Sequence, residues 1–207
     1  SITQLKRGTV MQLVIVDTGC ANISSVYFAF KRLGVDASIS RDGKVIKAAD
    51  KVLLPGVGTA HNAMAKLQQA ELIDTLQQLQ QPLLGICLGM QMLTAHSMEG
   101  DVPCLNLIPS EVLPMQSAGL RLPHMGWNTL HSISEHPLMH GFSVTDYVYF
   151  VHSFAVAPDA YSLAQCHYGN DFAAVIGKDN VAGAQFHPER SGKTGARLLQ
   201  NFLEWQL

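Results

Sequence analysis

The sequence predicts an α/β fold, an open and mostly parallel sheet flanked by helices, with an additional smaller mixed β region in the middle of the chain. Three observations carry this. Short, continuously apolar, β-branched runs such as Leu13-Val14-Ile15-Val16 suit strands buried on both faces. In the first half, stretches with apolar residues three and four apart alternate with these runs. Over residues 103–168 the helical spacing gives way to short β-like runs.

Residues 13–16 form the first expected strand. After the turn Asp17-Thr18-Gly19-Cys20-Ala21-Asn22, Ile23, Val26, Tyr27, Phe30 and Leu33 mark one face of a helix that Gly34 stops. Residues 35–39 alternate like a strand, and residues 52–54 form another that ends at Pro55-Gly56-Val57-Gly58. Helices are expected over residues 63–69 and 71–80, followed by a buried strand over 82–86 that runs into Cys87. In the middle, residues 111–113, 147–151 and 162–166 read as strands. Residues 181–186 return to strand, and 194–205 close as an amphipathic helix with Ala196, Leu199, Phe202 and Leu203 on one face. Ligands of such a sheet bind beyond the carboxyl ends of its strands, which directs attention to the turns after Leu54, Ile86 and Phe186.

Composition narrows the function classes. A chain of 207 residues that is 47% hydrophobic can bury one substantial core, and one domain over residues 11–207 is expected. The net charge of −2 gives no footprint for nucleic acid or an anionic membrane. Cys20, Cys87, Cys104 and Cys166 lack Cys-x-x-Cys spacing, so a reducing, cytoplasmic setting is expected rather than a zinc ribbon or a disulfide framework. Residues 1–10 lack the apolar core of a signal peptide and are read, because Met11 precedes the first strand, as an expression remnant or disordered extension. No run approaches the ~18 apolar residues of a membrane span.

The chemistry centres on Gly85-Ile86-Cys87-Leu88-Gly89, where a buried strand meets an expected helix starting near Leu88. This has the form of a nucleophile elbow with cysteine in place of serine: glycines on both sides permit a tight turn that lifts the side chain above the sheet. The start of the helix would favour the thiolate, the reactive form. A lone cysteine in an apolar run also reads as a small buried hydrophobe. His187 follows the strand 181–186 at the same rim, Pro188 fixes its turn, and Glu189 is placed to orient an imidazolium. Without Cys87, His187 would read as a solvated loop histidine. Donors for an oxyanion would come from the Leu88 N–H and from the backbone of Gly56, Val57 and Gly58, a segment that equally reads as a plain strand-to-helix turn. His124, His131, His136 and His140 are close in sequence but lack metal-ligand spacing, and a structural or surface role is expected.

Three segments carry a resemblance. Pro55-Gly56-Val57-Gly58, Gly85-Ile86-Cys87-Leu88-Gly89-Met90-Gln91 and Gln185-Phe186-His187-Pro188-Glu189 are similar to the signature segments of the class I glutamine amidotransferases. Asp17-Thr18-Gly19-Cys20-Ala21-Asn22, His124-Met125-Gly126-Trp127-Asn128 and Tyr149-Phe150-Val151-His152-Ser153 resemble the histidine-pathway branch of that family in particular. The resemblance implies a flavodoxin-like sheet, a γ-glutamyl thioester on Cys87, and contacts to glutamine from Gln91, Glu99, His152, Ser153 and Phe154. It implies no metal or organic cofactor. It also implies a heterodimer with a (β/α)₈-barrel cyclase that receives ammonia near Trp127 and Tyr149, flanked by Met125 and Asn128. Poor periodicity puts Trp127 on a loop, exposed at an interface, with core packing as the alternative. A glutaminase of this kind is expected to be nearly silent alone and to be switched on by the cyclase with its nucleotide ligand, through alignment of the residue 56–58 backbone. A stand-alone cysteine hydrolase and a non-catalytic binding module on the same fold are the rival readings.

Overall fold

A computed structural model describes residues 10–207, so apart from Val10 the expected N-terminal extension lies outside the described residues. The first half alternates as the periodicity predicts: β1 (Leu13–Val16), α1 (Ile23–Arg32), β2 (Ser38–Ser40), α2 (Gly43–Ala48), β3 (Lys51–Leu54), α3 (Ala60–Gln69), α4 (Ile73–Gln77), β4 (Leu83–Ile86) and α5 (Leu88–Met92). The middle is built of β5 (Thr94–Ser97), β6 (Val102–Pro103), β7 (Ile108–Pro114), β8 (His124–Thr129), β9 (Tyr147–His152), β10 (Phe154–Val156) and β11 (Ser162–Tyr168). The chain then passes through β12 (Asn170–Lys178) and β13 (Val181–Ala184) into α6 (Gly192–Glu204).

The main sheet has seven strands in the order β11-β12-β13-β4-β3-β1-β2. Pairing is parallel from β13 to β2 and antiparallel where β11 and β12 extend the other edge. The expected smaller β region exists as a four-stranded mixed sheet, β10-β7-β5-β6, beside a separate β8-β9 hairpin. Residues 162–166, expected within that region, instead pair with β12 and continue the main sheet.

Strict alternation along the central strands sends side chains to opposite faces. Leu13, Ile15, Leu53, Leu84 and Ile86 meet Val26 and Phe30 of α1 and Leu199 and Phe202 of α6. Val14, Val16, Val52, Leu54 and Leu83 meet Met64 and Leu67 of α3 and Leu72 and Leu76 on the opposite face. A buried cation lies on the α6 side of the sheet: the ammonium of Lys51 donates to the Trp205 carbonyl and lies 5.7 Å from the Phe202 ring centroid.

Local departures from expectation have local causes. The strand expected over residues 35–39 begins only at Ser38, because Val35 still belongs to the end of α1. Its N–H donates to the Phe30 carbonyl (3.1 Å) while that of Gly34, at φ +85°, donates to Lys31 (2.9 Å). That pair of bonds is a Schellman closure. The helix expected over 71–80 is cut to α4 because Glu71 sits at φ +56°, ending α3 with a sharp turn.

The glycines around Cys87 serve close approach rather than unusual dihedrals. A Cβ on Gly85 would lie 2.6 Å from the Gly89 carbonyl, and one on Gly56 would lie 2.9 Å from the Gly89 nitrogen. A Cβ on Gly89 would collide outright with the Leu54 carbonyl oxygen. The ends of β3 and β4 and the start of α5 are thus packed backbone to backbone. We expect Gly89→Ala to cost about 3 kcal/mol, since no side chain can yield, and Gly34→Ala about 1 kcal/mol, because space is open there and only the positive φ opposes it. Urea midpoints at equal m-values check this; equal losses would refute the close-approach argument.

Candidate active site

Cys87 occupies the single residue between β4 and α5, at φ +54° and ψ −113°. An L residue rarely adopts this conformation, and holding it there costs of order 1–3 kcal/mol. Two backbone bonds hold it: Cys87 N–H donates to the Ala184 carbonyl of β13 (2.8 Å), and Gln91 N–H donates to the Cys87 carbonyl (3.2 Å). The turn lifts the thiol into a cavity of about 200 Å³ lined by Val57, Gly58, Cys87, Leu88, Gln91, Glu99, Val151, His152, Ser153, Phe154 and His187. Larger hollows of about 350 and 380 Å³ lie elsewhere, and neither is lined by Cys87 or His187.

His187 reaches this cavity from the turn after β13. Its N–H donates to the Tyr149 carbonyl (3.0 Å) and its carbonyl accepts from the Ser191 hydroxyl (2.6 Å), so β9 fixes the backbone on which the imidazole stands. His187 Nδ1 lies 2.6 Å from Glu189 Oε1, and the two side chains are only 3% and 0% exposed. The same carboxylate oxygen accepts from Asn22 Nδ2 at 2.7 Å. With Nδ1–H donated to a carboxylate, Nε2 is the nitrogen left for the Cys87 sulfur. Burial disfavours the His187 imidazolium, but hydrogen bonds to Cys87 and Glu189, reinforced by their charges, outweigh it and raise the group to about 10. His187 is therefore a strong proton acceptor inside a nearly closed site.

The other residues singled out from the sequence fall around this centre. Glu99 enters from the loop after β5 and its Oε1 accepts from the Ala60 N–H (3.0 Å) at the start of α3. Gln91 is 4% exposed, and its amide nitrogen donates to the Phe154 carbonyl (3.1 Å) and to Gln185 Oε1 (3.0 Å). Val57 and Gly58 line the cavity directly, whereas Gly56 stands behind them against α5.

The glutamine amidotransferase class-I family profile matches residues 14–205. The chain belongs to that family. The imidazole glycerol phosphate synthase subunit HisH of Idiomarina loihiensis is 57% identical over 197 residues, covering 95% of this chain and 100% of its own. The HisH subunits of Haemophilus influenzae (54% identical, 94% and 98% covered) and Colwellia psychrerythraea (52%, 92% and 92%) are similarly close. Among solved structures, a glutamine amidotransferase superposes with TM-score 0.73 at 20% identity over 92% of this chain and 97% of its own. A glutamine amidotransferase of Thermotoga maritima does so with TM-score 0.61 at 18% identity, over 94% and 81%. At those identities the structural likeness establishes the fold alone, which agrees with the flavodoxin-like expectation.

In this amidotransferase Trp127 lies on a strand, β8, not on a loop; Gly126 at φ +128° and the polar residues around it mask the alternation in the sequence. Met125 and Trp127 point outward, 62% and 55% exposed, while His124 is buried on the inner face. Trp127 pairs across the hairpin with Tyr149, ring centroids 5.9 Å apart, and the Arg190 guanidinium lies 4.3 Å from the Tyr149 centroid. Asn128 turns its amide inward, donating to the His167 carbonyl (3.0 Å) and to His124 Nε2 (3.3 Å).

The four middle histidines go to different places. His131 and His167 both contact Asp171, and His136 packs edge-on against Trp205. His140 is exposed at the end of the Pro137–Met139 turn. His124 instead stacks on Phe150 and Tyr168 and donates to His152. Asn22 and Gln185 are site neighbours to which the sequence assigns no individual role. For Gln185 a signal exists, a polar residue inside the apolar run 181–186; for Asn22, 167 residues from Glu189, no local signal exists.

His152 Nδ1 faces the Phe154 carbonyl (3.0 Å), which only accepts, so its Nε2 must accept from His124 Nδ1–H at 2.9 Å. Burial pushes the two imidazoles down to about 3 and about 4 respectively, and both stay neutral. Because folding lowers them, the unfolded chain binds more protons below its ordinary histidine range. Their contribution to stability is complete above about pH 6.5 and is lost as pH falls through the folded values. Between pH 5.5 and 4.5 we expect His152→Gln to lose about 1.4 kcal/mol less stability than the parent chain. Denaturant titrations at the two pH values test this, and parallel losses would show that His152 does not titrate as a buried group.

Proposed function

We propose that Cys87, His187 and Glu189 are the catalytic residues of this chain, a glutamine amidohydrolase subunit of imidazole glycerol phosphate synthase in histidine biosynthesis. The observation that carries the assignment is the strained turn that aims Cys87 into one cavity with a buried, carboxylate-anchored His187. His187 Nε2 takes the thiol proton, and the thiolate attacks the carboxamide carbon of glutamine, forming the C–S bond. The oxyanion is held by the Leu88 N–H and by the backbone of Gly56, Val57 and Gly58. As the tetrahedral adduct collapses the C–N bond breaks, and His187 gives its proton to the departing ammonia. Water, deprotonated by His187, then opens the thioester to release glutamate and restore the thiol.

Glu99 suits the ammonium of the substrate: it is a carboxylate on the cavity wall, steadied by the first turn of α3. Gln91, His152, Ser153 and Phe154 complete the glutamine pocket. The outward stripe of Met125 and Trp127, with Tyr149 opposite, supports docking of a (β/α)₈-barrel cyclase, since exposed aromatic residues on a rigid strand are typical anchors, whereas Asn128, expected there too, is turned to the inner face by the His167 carbonyl. Ammonia released into water would be protonated and lost, which favours hydrolysis gated by that partner.

Cys87→Ser is expected to lose at least about a thousandfold in glutaminase rate with an unchanged circular dichroism spectrum; substantial residual turnover would exclude Cys87 as the nucleophile. His187→Asn should be nearly as inactive, yet the reconstituted complex should still cyclise when fed free ammonia. Failure of that rescue would assign His187 to folding or docking. Turnover should rise from the chain alone to the complex with cyclase, and again when the cyclase holds its nucleotide ligand. Equal rates in all three would favour a stand-alone hydrolase.

A further inference from the structure

We propose that Gln185 is a further catalytic residue, whose side-chain amide donates a hydrogen bond to the Cys87 sulfur and holds it as the attacking thiolate. This rests on the reading of Cys87 as the nucleophile and adds to it a group with no role in the acid–base scheme above.

The orientation of the amide follows from the atoms around it. The two ends of a glutamine amide have the same shape, so the partners decide which is oxygen and which is nitrogen. The Phe154 carbonyl can only accept, so the Gln91 atom 3.1 Å away is its NH₂ group. The second hydrogen of that group is directed at Gln185, 3.0 Å away, where the facing atom must be an acceptor and is therefore Oε1. The Gln185 NH₂ is then left on the side of the Cys87 sulfur, at 3.8 Å. Gln185 is 0% exposed, and no water competes for that donor. The Phe154 carbonyl that starts this chain is itself doubly engaged, because His152 Nδ1–H also donates to it at 3.0 Å. Reversing the Gln185 amide would oppose two NH₂ groups and leave a buried carbonyl facing the sulfur.

A fixed donor on a sulfur favours the charged form over the neutral thiol, since a hydrogen bond to an ion is about twice as strong as one to a neutral acceptor. The Cys87 S–H makes a long contact to the Val151 carbonyl (3.9 Å), which favours its protonated state only weakly. Gln185 and His187 therefore act on the sulfur in different ways. His187 removes the proton and later returns it, whereas Gln185 carries no titratable proton and steadies the anion during attack and again when the thioester is cleaved.

The test is the pH profile of iodoacetamide alkylation of the full chain, read at the Cys87 peptide by mass spectrometry so that the other three cysteines do not contribute. In Gln185→Met, which keeps length and removes the donor, the midpoint should move upward by about one pH unit, with alkylation near neutral pH slower by roughly tenfold. Gln185→Leu, which also removes the donor, should move it by a similar amount. In the complex with the cyclase, both variants should lower kcat more than they raise KM for glutamine. Folding is checked by thermal melting, and the second variant keeps the test open if the first is unstable. A purely structural role would leave the profile of the folded variants superimposed on that of the parent chain, and that result would overturn the proposal. Its failure is distinct from failure of the nucleophile assignment, which would show as glutamine turnover surviving in Cys87→Ser.

Discussion

Where β3, β4 and α5 meet, three backbones approach more closely than any side chain permits. Gly89 lies against the Leu54 carbonyl, Gly56 against the Gly89 nitrogen, and Gly85 against the Gly89 carbonyl. This contact leaves the chain no extended path out of β4, so the next residue must turn sharply, and Cys87 takes a conformation an L residue ordinarily avoids. The same contact brings the residue 56–58 segment beside the first turn of α5, so the Cys87 turn and that backbone share one origin. Burial of β1, β3, β4 and β13 on both faces supplies the rigidity that sustains the strain.

A second layer of organisation is electrostatic. The side chains of His187, His152 and Gln91 beside the sulfur are each oriented by a partner that has no choice of role. Glu189 can only accept and fixes the His187 tautomer; Asn22 donates to the same oxygen and fixes the carboxylate in turn. Backbone carbonyls do the same for His152 and Gln91. In a medium of low effective dielectric each such bond offsets the cost of burying a polar group, and His124 and His152 stay neutral beside Cys87 and His187.

Much of this is legible in the sequence for physical reasons. The sheet announces itself because strands buried on both faces are forced to be apolar throughout, and the Cys87 turn because close packing admits only glycine at 85 and 89. His187, Pro188 and Glu189 are adjacent in the chain, so their geometry is local. The hidden features depend on distant partners. Asn22 acts on a residue 167 positions away, and the inward amide of Gln185 is decided by Gln91 and by the Phe154 carbonyl. Trp127 reads in the sequence as a loop residue because β8 pairs only with β9, so a strand with one partner and a glycine at its centre lacks the apolar run that marks a buried one.

The β8-β9 hairpin is bonded both to the edge of the main sheet, through Asn128 and the His167 carbonyl, and to the segment that carries His187. The Tyr149 carbonyl accepts the His187 N–H, Ser191 bonds both the Tyr149 N–H and the His187 carbonyl, and Arg190 covers the Tyr149 ring. On its inner face, His124 and Asn128 connect through His152 to the Phe154 carbonyl on the cavity wall. The strands that present Met125 and Trp127 to solvent therefore also hold the backbone of His187. A displacement of the hairpin by even a few tenths of an ångström must be absorbed by bonds to His187 or to Phe154, since satisfied buried networks do not stretch without cost. The exposed face of the hairpin and the wall of the cavity are thus two sides of one bonded network.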